Sequence, residues 1–237
     1  MKDQLSILNY QEIMKKMNKD YIRNTDFKIY QDDEMFCINT DTVLLGEFLD
    51  FRKGLNVLDI GTNNGALLLY ASTREPLSLC GIDIFDEAIS LASLNLKENN
   101  VKATLKCVRV QDFKHDPFDI IITNPPFFEN NNPRLNEYKR TAMFEKELNI
   151  NELFTAFKRL LKDNGYAYVI YPTQRFSEFY GKCLEYKYNI QIMKMVYDKN
   201  KNESTRFLCR LKRGPMTKTR VLKPIIVDGD NFYDLSK

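Results

Sequence analysis

Residues 55–65 read "LNVLDIGTNNG". The apolar, β-branched run 55–60 has the composition of a buried strand, and the glycine-bounded turn after it opens an apolar helical stretch through about Thr73. A glycine directly after a core strand lets the backbone approach a ligand closely. The pattern repeats downstream. "LSLCGIDI" (77–84) reads as a second strand before a helix over 85–100, with Asn99 or Asn100 as its C-cap. "ATLKCVRV" (103–110) reads as a third strand, ending at Gln111–Asp112, and "FDIIIT" (118–123) as a fourth. An amphipathic helix is expected from Glu147 until Gly165 stops it, then strand five over 166–172 and a helix over 173–186. Stretches 189–198 and 204–214 flank a "KNKNE" turn and read as an antiparallel pair. Alternating strands and helices predict an α/β fold: a doubly wound, Rossmann-like, mostly parallel sheet with an antiparallel C-terminal edge strand.

Composition sets bounds on function. At 237 residues the chain fits one large α/β domain, and 43% hydrophobic residues suffice for a packed core. We divide it into an N-terminal basic helical extension or tail over 1–24 and a main domain over 25–237. The net charge is only +3, so any affinity for nucleic acid must come from local clustering. The five cysteines are scattered and there is one histidine, His115, which leaves little for a disulfide framework, a histidine triad or a metal site. No signal pattern or membrane-spanning run is visible, so a cytoplasmic location is expected.

Ligands of doubly wound sheets sit beyond the carboxyl ends of the strands. Asp83, ending strand two, is placed to accept hydrogen bonds from ribose hydroxyls, or else to cap the following helix. Asp112 and Phe113, after strand three, offer an acceptor and a ring to an adenine, or simply a polar loop. Strand four runs into "NPPF" (124–127), poor in helix and strand propensity because proline lacks an N–H and restricts the residue before it. Such a corner suits methyl transfer to an aromatic exocyclic amine. The Asn124 side-chain oxygen and the Pro125 carbonyl would accept both N–H bonds and favour a more tetrahedral nitrogen. The prolines, Pro125 and Pro126, would hold the acceptors rigid, and Phe127 would stack on the base. A bland proline-rich turn is the competing reading.

With these residues in place, "LDIGTNNG", "GIDI" and "NPPFF" resemble class I S-adenosylmethionine-dependent methyltransferases of the amino-methylating group. The entry segment "FKIYQDDEMFCINTDTVLLGEFL" (27–49), "LLKDNGYAYVIYPTQRF" (160–176) and a C-terminal "KP-I-V…Y" narrow this to a resemblance to the bacterial tRNA(1Val) (adenine-37-N6)-methyltransferases. It extends from about Phe27 to Tyr233. The resemblance implies that Asp59, Gly61, Asn63, Asp83 and Asp112 hold S-adenosylmethionine, that Thr40 and Asp41 wall the site, and that residues 124–127 hold the base. Asn63 stands where a middle glycine is usual, and asparagine tolerates left-handed backbone. Met143 stands where the family commonly has arginine, with Arg140 three residues upstream.

The expected reaction is methylation of adenine N6 in tRNA beside the anticodon, by a monomer or weak homodimer needing neither metal nor membrane. Guanine-N2 methylation of rRNA, N5-methylation of a protein glutamine and an RNA-binding relative without turnover are the alternatives. The basic residues between 194 and 223 are expected to meet RNA phosphates beside the base pocket, with Arg140, Arg206, Lys212, Arg213 and Lys218 as candidate contacts.

Overall fold

The computed structural model describes residues 17–32, 37–126, 148–215, 217–229 and 231–235. A small antiparallel ribbon, β1 (Asn18–Tyr21) and β2 (Lys28–Gln31), precedes helix α1 (Thr40–Phe48). The core then runs β3 (Asn56–Ile60), α2 (Ala66–Ser72), β4 (Ser78–Asp83), α3 (Asp86–Glu98), β5 (Thr104–Cys107) and β6 (Phe118–Thr123). It continues through α4 (Ile150–Leu160), β7 (Leu161–Pro172) and α5 (Phe176–Glu185) to the long strands β8 (Tyr188–Asp198) and β9 (Ser204–Arg213). Short strands β10 (Arg220–Val221), β11 (Ile225–Asp228) and β12 (Asn231–Asp234) finish the chain. Of the expected 1–24 extension, residues 1–16 lie outside the described residues, and Asn18–Tyr21 is strand, paired with β2.

The sheet has ten strands in the order β12-β11-β8-β9-β7-β6-β3-β4-β5, with β10 beside β8. Strands β3 to β7 are parallel, and the chain reverses direction of travel across the sheet between β3 and β6. The expected antiparallel pair over 189–198 and 204–214 forms as β8 and β9, but it does not end the sheet: β11 lies beyond β8, and β12, antiparallel to β11, is the outermost strand. Antiparallel pairing also reaches inward, because β9 inserts between β7 and β8 and opposes both.

Strand side chains alternate between faces, and here the alternation divides the core in two. Leu58, Ile121, Val169 and Cys209 join Phe154, Phe157 and Phe179 from α4 and α5. Val57, Ile120, Ile122, Ile170 and Leu208 join Leu44, Leu45, Leu68 and Leu69 from α1 and α2 on the other face. Helix α4 starts in a capping box: the Asn149 side chain accepts from the Glu152 N–H, and Glu152 accepts from the Asn149 N–H.

Two boundaries differ from the sequence reading. Helix α4 ends at Leu160 rather than at Gly165, because Leu161 is already extended (φ −103°, ψ 130°) and pairs with Phe118. Gly165 serves the strand instead. A Cβ there would stand 2.6 Å from the Asp119 carbonyl oxygen, so only glycine lets β7 bulge past β6 at this point. The third strand is the shorter Thr104–Cys107, and residues 108–112 form a turn that closes on the Arg109 carbonyl.

Helix α1 crosses α2 where Gly46 lies on the Tyr70 ring. A Cβ at Gly46 would come within 2.1 Å of that ring, whose hydroxyl donates to the Arg23 carbonyl at 3.0 Å. Gly46→Ala should therefore overpack the crossing and cost about 1–3 kcal/mol, read as a lowered urea midpoint. An unchanged midpoint would mean that α1 is not seated on Tyr70.

Candidate active site

The strand register builds the site. Ile60 of β3 pairs with Ile82 of β4 on one side and with Thr123 of β6 on the other. The next residues, Asp83, Gly61 and Asn124, therefore stand in one row across three strand ends. Neighbouring strands are about 4.8 Å apart, so the row spans roughly 10 Å from Asp83 to Asn124. The Thr123 hydroxyl donates to the Ile60 carbonyl at 3.0 Å, tying the exit of β6 to the exit of β3. Asn124 is half-buried and Pro125 is buried, so the corner emerges directly from the core.

The turn after β3 is held open by backbone conformation. Gly61 (φ 74°) is exposed, with nothing within 4 Å of where a Cβ would stand, while its N–H and that of Thr62 donate to the Ile82 carbonyl. Asn63 adopts left-handed backbone (φ 47°). Its N–H donates to Asp83 Oδ2 at 2.9 Å, and Asp83 Oδ1 accepts from the Phe85 N–H at 3.2 Å. Asp83 thus braces the turn. A carboxylate offers about four lone-pair positions, so these bonds leave capacity for ribose hydroxyls. Burial, partly opposed by the three backbone N–H groups of Asn63, Phe85 and Ile84, pushes its pKa up.

Beneath the turn lie buried polar atoms that make no hydrogen bond of good geometry among the described residues: both Asp59 carboxyl oxygens, Thr62 Oγ1, which stands near that carboxyl, and Asn64 Nδ2. Asp59 is 0% exposed. Desolvation raises its pKa to about 7, the nearby Asp83 charge adds to this, and the Thr62 hydroxyl opposes it. Orphaned polar groups are costly in a core. Their concentration under an open glycine turn fits a polar, positively charged ligand such as S-adenosylmethionine.

Other expected residues fall in different places. Thr40 and Asp41 begin α1 behind the Asn39 cap. Asp41 is buried and forms an ion pair with Arg206, which also lies 3.6 Å from Asp198. Arg206 was expected to contact RNA, but it is held between these two carboxylates. Asp112 is exposed in the turn after β5. Phe113 does not offer its ring: it is 2% exposed and its ring stacks against His115 and Phe118. Arg159 of α4, which sequence reading did not single out, donates to the Val110 and Phe113 carbonyls and fixes this turn.

Lys212, Arg213 and Lys218 are not beside the Asp83–Gly61–Asn124 row. Strand β9 runs antiparallel, so Arg206 pairs with Pro172 at the site edge while Lys212 pairs with Tyr166 at the far edge. At about 3.3 Å per residue, Lys212 is displaced from Arg206 by roughly 20 Å. Arg213 is bound to Asp163 at 2.8 Å, and Lys218 precedes Thr219, which bonds the Ile190 carbonyl near the start of β8. Phe127, Arg140 and Met143 lie outside the described residues.

Asp59 gives the apo protein a pH signature. Its folded pKa, about 7, lies above its ordinary value of 3.8, so the native state binds the extra proton between these limits. The associated stability is fully present below about pH 4 and is lost as pH rises through 7, at up to about 1.4 kcal/mol per pH unit. Asp83 and Asp41, also raised, act in the same direction, and Asp119, which is lowered, opposes them. Asp59→Asn should flatten the fall in urea midpoint between pH 4.5 and 7; a slope equal to the parent's would contradict the orphaned carboxyl.

The chain matches a family model described as "Methyltransferase small domain" over residues 26–177. It is 28% identical over 208 residues to a tRNA1(Val) (adenine(37)-N6)-methyltransferase of Dyadobacter fermentans, covering 86% of this chain and 87% of that one. It is 32% identical over 166 residues to a protein of the same name from a Flavobacteriaceae bacterium, covering 68% and 70%. Among solved structures, the ribosomal protein L11 methylase of Lactobacillus delbrueckii subsp. bulgaricus superposes with a TM-score of 0.59 at 17% identity. That match covers 77% of this chain and 83% of that one, and it bears on the fold. With the strand order, the open glycine turn and the model match in agreement, the chain belongs to the methyltransferase small domain family.

Proposed function

We propose that this protein transfers a methyl group from S-adenosylmethionine to the exocyclic N6 amine of an adenine in tRNA, at adenine 37 beside the anticodon of tRNA(Val). The row Asp83–Gly61–Asn124 carries the reading, since it lines up a carboxylate, an open backbone turn and a side-chain amide across three neighbouring strand ends. The substrate identity draws on the names of the relatives above.

Gly61 and Asn63 would hold the cofactor through their backbone, Asp83 through the ribose, and Asp112 through the adenine amino group. Asp59 would lie beneath it, and Thr40–Asp41 would wall the site from α1. Bound S-adenosylmethionine supplies an activated methyl group on a sulfonium. Asn124 and Pro125 would orient the amine, which sheds one N–H proton to solvent as it gains the methyl group. The Asn124 side-chain oxygen and the Pro125 carbonyl accept the two N–H bonds of the adenine amine and draw its lone pair out of conjugation with the ring. Pro125 is buried and both prolines have fixed φ, so the acceptors are in place before the base arrives. Phe127, by the resemblance, would stack on the base. An adenine inside a stacked helix cannot reach such a corner, so the nucleotide must be extruded.

Loss of the Asn124 acceptor should act on chemistry rather than on cofactor affinity. In Asn124→Ala, single-turnover methylation of tRNA should fall on the order of 10²–10³-fold, the cost of deleting one preorganised transition-state hydrogen bond. Cofactor affinity measured by calorimetry should stay near the parental value. Turnover at the parental rate would remove the amine clamp from the mechanism.

A further inference from the structure

Helix α3 and its C-cap carry two asparagines one turn apart, Asn95 and Asn99, on the side facing the N-terminal ribbon. Asn99 Oδ1 accepts from the Lys28 N–H at 2.9 Å and Asn99 Nδ2 donates to the Lys28 carbonyl at 2.6 Å. Asn95 does the same one strand repeat further on, accepting from the Tyr30 N–H at 2.7 Å and donating to the Tyr30 carbonyl at 3.0 Å. The spacings agree: four helical residues rise about 6.0 Å, and two strand residues about 6.6 Å. The two side chains act as a substitute strand for β2, whose other side pairs with β1.

The pair is not equivalent. Asn95 Nδ2 also donates to the Asn64 carbonyl at 2.9 Å, inside the turn between Gly61 and Gly65. Asn95 is 0% exposed, so each of its bonds is made away from water. The same stretch of α3 presses on the turn at Gly65 (φ 81°), where a Cβ would stand 3.2 Å from that of Ala92. From β2, Gln31 Oε1 accepts from the Ile38 N–H at 2.6 Å, directly before the Asn39 cap and the Thr40–Asp41 start of α1. Asn95 therefore joins the glycine turn to β2, and Gln31 of β2 continues the connection to the segment that walls the site.

We infer that Asn95 is a positioning residue that couples the cofactor turn to the N-terminal ribbon, so that cofactor binding and ribbon docking reinforce one another. The inference rests on placing S-adenosylmethionine at the Gly61–Gly65 turn. Coupling of this kind is reciprocal: whatever the ribbon contributes to the turn, the occupied turn returns to the ribbon. Asn99 provides the internal control, since it docks the ribbon without touching the turn.

Calorimetry with S-adenosylmethionine on folded Asn95→Ala and Asn99→Ala separates the two roles. Asn95→Ala should weaken affinity by about tenfold, and Asn99→Ala by no more than about twofold. Equal losses in both, or none in Asn95→Ala, would overturn the coupling. Asp83→Ala belongs in the same series. If it loses affinity while Asn95→Ala does not, the coupling fails and the site stands; if neither loses affinity, the placement of the cofactor fails with it. A measurement on the parental protein covers the case in which Asn95→Ala does not fold. Adding S-adenosylmethionine should slow amide exchange at Tyr30, whose N–H is held by Asn95, and unchanged exchange would overturn the inference.

Discussion

The structure depends on the pairing of β3 with β4 on one side and β6 on the other. Ile60 is registered with both Ile82 and Thr123, and the Thr123 hydroxyl fixes that alignment at the Ile60 carbonyl. A slip of one residue on either side would turn every side chain of the slipped strand to the wrong face. It would also break the row that brings Asp83, Gly61 and Asn124 together. Because Val57, Leu58, Ile120, Ile121 and Ile122 are all buried on one face or the other, the core holds the register that the site requires.

Around that row, polar groups serve two ends, joining elements of the scaffold and lining the site. Polar groups that hold elements together are satisfied: Asn149 in its capping box, Arg159 on the turn carbonyls, Asn95 and Asn99 on β2. Directly below the glycine turn, Asp59, Thr62 and Asn64 keep buried polar atoms that make no hydrogen bond of good geometry among the described residues. Other buried polar atoms without such a bond among the described residues, Tyr188 Oη, Asn189 Oδ1, Gln191 Oε1 and Arg210 Nε, lie on β8 and β9, so it is the position of this cluster under an exposed glycine turn that suits a ligand. The same desolvation that raises Asp59 to about 7 would strengthen its attraction to a bound cation.

Much of this was legible in the sequence, because strand runs, glycine turns and the proline corner are local signals. The run 118–123 is a strand from end to end, and Asn63 takes the left-handed backbone that its type permits. What was not legible depended on partners distant in sequence. The antiparallel pairing of 189–198 with 204–214 was legible, but the insertion of β9 beside β7 was not, and it carries Lys212 and Arg213 to the end of the sheet away from the site. Arg206 looked free for phosphate, yet Asp41, far back in the chain, takes its charge. Phe113 reads the same in sequence whether its ring meets a ligand or, as here, His115 and Phe118. Leu161 follows a helical pattern that α4 could have continued, but pairing with Phe118 ends the helix first. A buried asparagine on the apolar face of α3, next to Leu94 and Leu96, was the available signal for the ribbon's attachment.

At these strand ends an activated methyl group would meet the amine of an extruded adenine. The most direct test is to incubate the purified protein with tRNA and methyl-labelled S-adenosylmethionine, digest the tRNA, and locate the label by mass spectrometry. Labelled N6-methyladenosine is expected in the fragment containing position 37 of tRNA(Val). Label in guanosine, in a protein glutamine, or in no product at all with the folded, cofactor-binding protein would contradict this assignment.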